Sequence, residues 1–83
     1  MVERSILVKS PLDTNTAAEL VQKANKFKSR IMLCAEEKTA NLKSIMGIIS
    51  LGLDSGSTVV ISAEGEDAKE AAQELGDLLG ATA

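Results

Sequence analysis

The 83-residue sequence has no histidine, no tryptophan and no tyrosine, and a single phenylalanine, proline and cysteine. Each absence removes a class of chemistry. Without imidazole there is no phosphohistidine, no Ser–His or Cys–His nucleophile pair and no histidine metal ligand. Cys34 alone forms neither an internal disulfide nor a zinc site. No metal, cofactor or stand-alone catalytic activity is therefore expected. Nine Lys and Arg against twelve Asp and Glu leave a formal charge of −3. With Phe27 as the only aromatic, the chain lacks both the basic face and the stacking platform of a nucleic-acid binder. No apolar run approaches membrane-spanning length, and Met1-Val2-Glu3-Arg4-Ser5 has no signal-peptide layout, so a cytoplasmic protein is expected.

What is present is the balance of a globular domain: 45% of residues are hydrophobic and 25% charged. Residues 1–83 read as a single domain with no linker and no internal repeat. Alternation predicts a strand over Val2 to Lys9, broken by Ser10-Pro11-Leu12-Asp13. A helix follows with Ala17, Leu20, Val21, Ala24 and Phe27 on one face. Its start is open between a Thr16–Glu19 capping box and a cap one turn earlier at Asp13 or Thr14. Two strands, Ile31 to Ala35 and Thr39 to Leu42, flank a polar turn at Glu36-Glu37-Lys38. Ser44 then caps a short helix that Gly52 helps to end. Asp54-Ser55-Gly56-Ser57 reads as a turn and Thr58 to Ala63 as a β-branched strand. The last helix takes Glu66 and Asp67 in its first turn, presents Ala68, Ala71, Ala72, Leu75, Leu78 and Leu79 on one face, and stops at Gly80. The order β-α-β-β-α-β-α gives an α+β fold: one sheet with helices on a single face.

Twelve residues, Leu42-Lys43-Ser44-Ile45-Met46-Gly47-Ile48-Ile49-Ser50-Leu51-Gly52-Leu53, resemble the HPr family, the small phosphocarrier proteins of the bacterial sugar phosphotransferase system. Chain length, element order and the Gly65-Glu66-Asp67 approach to the last helix agree with it. The resemblance implies an HPr-like open-faced β-sandwich, a four-stranded antiparallel sheet with three helices on one face. The family's other signature is altered. Where HPr proteins carry Gly-Leu/Ile-His-Ala-Arg-Pro-Ala, this chain has Pro11-Leu12-Asp13-Thr14-Asn15-Thr16-Ala17. Asp13 stands at the phosphoacceptor histidine, Asn15 at the arginine and Thr16 at the proline. The chain thus resembles a histidine-lacking, catabolite-repression type of HPr.

Ser44 is the candidate phosphorylation site that the resemblance implies, since many HPr proteins are modified at this serine by a dedicated kinase and then act as corepressors. Phosphoserine adds about −1.5 to −2 charge, which a helix N-terminus accommodates. Ser44 also has a simpler reading as an N-cap. Asp13 has two as well: a cap, or an acyl-phosphate acceptor. The run after Ser44 holds too many apolar residues for one buried stripe, so Ile45, Met46 and Ile48 are expected to face outward. With Lys43 and Gly47 they form the candidate partner surface, Lys43 steering acidic groups toward Ser44. The partners that the resemblance implies are proteins: an HPr serine kinase, a transcriptional regulator or phosphotransferase-system components. A monomer or weak dimer is expected, with strand exchange open to so small a sheet.

Overall fold

The structure, a computed structural model, describes residues 1–8, 12–52 and 56–81. The strand break at Ser10-Pro11, Leu53 and the Asp54-Ser55 part of the following turn lie outside the described residues. Seven elements follow in the expected order: β1 (Val2–Leu7), α1 (Thr14–Ala24), β2 (Arg30–Ala35), β3 (Lys38–Asn41), α2 (Ile45–Ser50), β4 (Thr58–Glu64) and α3 (Ala68–Ala81). The strands form one antiparallel sheet ordered β1-β4-β2-β3. Period-two alternation puts Ile6, Ile31, Leu33, Ala35, Ala40, Val59, Ile61 and Ala63 on the buried face. The helices cover that face, and the other stays open.

Ala17, Leu20 and Ala24 of α1 and Ala71, Ala72, Leu75 and Leu79 of α3 fill the core between sheet and helices. These small and branched side chains do what aromatics do elsewhere, each large one contributing roughly 1.5–3 kcal/mol on burial. The β2–β3 hairpin is tighter than the sequence reading. Ala35 pairs with Lys38, so only Glu36 and Glu37 form the loop, and Glu36 adopts a left-handed φ of 56°. Such two-residue connections need a positive φ to match the strand twist.

One helix start takes the earlier of its open readings, and three other helix boundaries differ from expectation. Asp13, the earlier of the possible caps, starts α1 by accepting from Thr16 N at 2.8 Å. That helix closes at Ala24, leaving Phe27 beyond it but still packed on the core. In α3, Glu66 and Asp67 precede the first helical residue instead of occupying the first turn, and Gly80 lies within the helix instead of ending it.

Candidate functional site

The segment joining β3 to α2 is a tight turn held by several hydrogen bonds. Leu42 is buried, and its N–H donates to Ile31 O at 3.0 Å, fastening the strand end to β2. Asn41 then accepts twice: its Oδ1 takes Lys43 N at 2.8 Å and its carbonyl takes Ser44 N at 2.9 Å. Ser44 is extended (φ −119°, ψ 112°) and exposed, the backbone state of an N-cap. Its Oγ accepts from Gly47 N at 3.3 Å and its carbonyl from Ile48 N at 3.2 Å. Among the described residues no hydrogen bond takes up the Ser44 hydroxyl proton, so the oxygen caps the helix while its O–H faces solvent.

The Lys43 ammonium is hydrogen-bonded to a carbonyl of its own chain and not to Ser44. Its Nζ donates to Phe27 O at 2.9 Å, sixteen residues back, just past the exit of α1. The ammonium is thereby held on a backbone carbonyl two residues beyond the C-cap of α1, Asn25.

The expected apolar patch is partly redrawn. Ile48 is fully buried and belongs to the core, and Ile45 is half-buried against it. Met46 faces outward at 73% exposure, and Ile49 joins it at 40%. With α2 only six residues long, its inward face is fixed by contact with α1 and β3, which takes Ile48 down and turns Met46 and Ile49 out. Gly47 contributes its N–H to the Ser44 cap, and its Cα faces Ala40 at a spacing that would leave an added Cβ 3.5 Å away. It is half-buried beneath the cap.

Asp13 and Asn15 lie exposed at the start of α1. The bond from Thr16 N is the main reason that the Asp13 carboxyl sits below its ordinary value of 3.8. A carboxylate so engaged is an effective cap, and among the described residues no group of three or more acidic or thiol ligands stands ready to hold a metal ion. No hydrogen bond or ion pair joins Asp13 to Ser44 among the described residues.

Two features were missed in the sequence. Asp67 accepts from Lys28 N at 2.8 Å, Ser29 N at 2.9 Å and the Ser29 hydroxyl, which hold its carboxyl below the ordinary range, the hydroxyl bond contributing most. Ser29 is the buried polar residue of the described chain. Arg4, on the inward face of β1, donates to Gln73 O at 2.8 Å and pairs with Asp77 at 3.0 Å over Gly76. An Asp just before a helix and a charged residue at an inward strand position were the available signals. Both were open to ordinary dipole and surface readings.

Residues 2–81 match the sequence model of the PTS-HPr family, described as the PTS HPr component phosphorylation site. The chain is 44% identical over 77 residues to the HPr-like protein Crh of Halalkalibacterium halodurans, spanning 90% of this chain and 92% of that one. Its fold superposes on the crystal structure of HPr-C-His from Thermoanaerobacter tengcongensis with a TM-score of 0.89 at 46% identity, covering 95% of this chain and 91% of that one. It also matches crystalline Crh of Bacillus subtilis, described as a domain-swapped dimer, with a TM-score of 0.79 at 40% identity, over 95% and 93% of the two chains.

Proposed function

The chain belongs to the HPr family, and from that premise we propose that it is a Crh-like regulatory protein of the bacterial sugar phosphotransferase system, switched by phosphorylation of Ser44. The observation that carries this reading is the exposed Ser44 hydroxyl at the start of α2, beside the outward Met46 and Ile49. A phosphate there gains the amides of the first turn and the positive end of the helix, so the fold is kept and the surface changes. The phosphoprotein then docks a transcriptional regulator of carbon use through Met46 and Ile49. The protein is not an enzyme in this scheme; the kinase and the regulator supply the chemistry and the output.

Phosphoryl transfer through Asp13 is the weaker reading. The carboxylate is already committed to Thr16, and Asn15 brings no cation to hold phosphate oxygens. A monomer that forms a weak dimer fits both the small sheet and the dimeric Crh relative.

Intact-mass spectrometry before and after incubation with an HPr serine kinase and ATP tests the proposal. One phosphate mapped to Ser44, and lost in Ser44→Ala, is expected. An unlabelled protein beside a labelled HPr control would refute it. A second reading, a binding protein that needs no modification, is favoured by the exposure of Met46 itself. It expects partner capture unchanged in Ser44→Ala and lost in Met46→Asp.

A further inference from the structure

Lys43 and Ser44 are consecutive residues, and their side chains go to opposite places. Lys43 lies in the turn after β3, and Ser44 follows it in extended backbone. Lys43 is half-buried with its ammonium on Phe27 O, whereas Ser44 is exposed. The bonds that hold Lys43 therefore also hold the turn from which the Ser44 hydroxyl projects. Asn41 fixes the same turn from the other side, through Oδ1 to Lys43 N and its carbonyl to Ser44 N. α2 itself is too short to set this geometry, since a six-residue helix does not hold its shape alone.

We propose that Asn41 and Lys43 are positioning residues that present Ser44 to its kinase: Asn41 by closing the turn with its side-chain oxygen, and Lys43 by tethering that turn to the exit of α1. The role rests on Ser44 being the phosphoacceptor and adds what makes it one. Lys43 acts here through a neutral carbonyl of its own chain and not by attracting the kinase or the phosphate. Asn41 acts without any charge. Phosphoryl transfer needs the attacking oxygen in line with the donor phosphate, so a hydroxyl that wanders loses rate more than affinity.

The test is steady-state labelling by an HPr serine kinase with ATP, using the whole chain, with circular dichroism to establish that each variant is folded at the assay temperature. Lys43→Met keeps the stem and removes the donor; Asn41→Ala removes the turn acceptor and leaves all charges in place. Each is expected to lower kcat about tenfold while KM stays within about twofold. Lys43→Arg and Asn41→Asp, which restore a donor and an acceptor at the same places, are expected to recover most of the rate. Full kcat in Asn41→Ala would overturn the proposal. So would a loss confined to Lys43→Met and carried by KM, because that pattern belongs to a lysine recognised by the kinase. An unlabelled wild-type protein would instead overturn the Ser44 reading on which the proposal stands, and is distinguished by the absence of any rate to compare.

Discussion

Ile48 is fully buried and Ile49 is 40% exposed, although the two are adjacent and chemically identical. Ile48→Ala opens a cavity beneath α2 and is expected to cost about 2–4 kcal/mol. Ile49→Ala removes surface at a better helix former and is expected to cost under about 1 kcal/mol. Urea unfolding of the two variants reads the difference directly; equal losses would contradict the placement of α2. At the same scale, Ser44→Ala is expected to lose the phosphate and about 1 kcal/mol of cap stability, so mass labelling and unfolding are best read on one sample.

Within α3, Gly76 and Gly80 sit one turn apart and answer to different neighbours. A Cβ at Gly76 would lie 2.8 Å from both Arg4 Nη1 and Ile6 Cδ1, whereas at Gly80 it would meet nothing within 4 Å. Gly80→Ala is therefore expected to stabilise by about 0.5–1 kcal/mol, the usual helix gain. Gly76→Ala gains the same and loses more to overlap with a buried isoleucine and a bonded guanidinium, for a net loss of about 1 kcal/mol. Thermal midpoints moving in opposite directions would bear this out; a rise in both would mean that Arg4 can leave Gln73 without cost.

Across the molecule, Asp67 ties the approach to α3 to the start of β2, 38 residues away, and Gly65 makes the close passage possible. A Cβ at Gly65 would stand 2.8 Å from Ser29 Cα, and its φ of 145° already disfavours a side chain. The carboxyls of Asp13 and Asp67 both sit below the ordinary 3.8 in the folded chain. Near and below the unfolded value the folded state then binds fewer protons than the unfolded one, so this stabilisation is complete above the unfolded value and is lost as pH falls on through the lower folded one. Stability is expected to decline as pH falls below about 4, and Asp67→Asn to be less stable at neutral pH with a flatter acid limb. An acid limb unchanged in Asp67→Asn would show that the tie does not titrate.

The periodicity of β1, β2, β4 and α3, the Ser44 cap and the order of all seven elements were legible because they depend on neighbours within one turn or one strand. The family resemblance rested on an unbroken local motif for the same reason. Which isoleucine of α2 is buried was not legible. A six-residue helix with four apolar candidates has no single stripe, and only its docking on α1 and β3 chooses one. The same holds for Lys43, whose partner Phe27 O lies sixteen residues away, and for Arg4 and Asp67, whose partners lie 69 and 38 residues away. The sequence by itself determined the elements, their order and the absence of histidine chemistry. The tertiary structure alone decided what faces solvent around Ser44, because that choice belongs to contacts between segments that local preference does not encode.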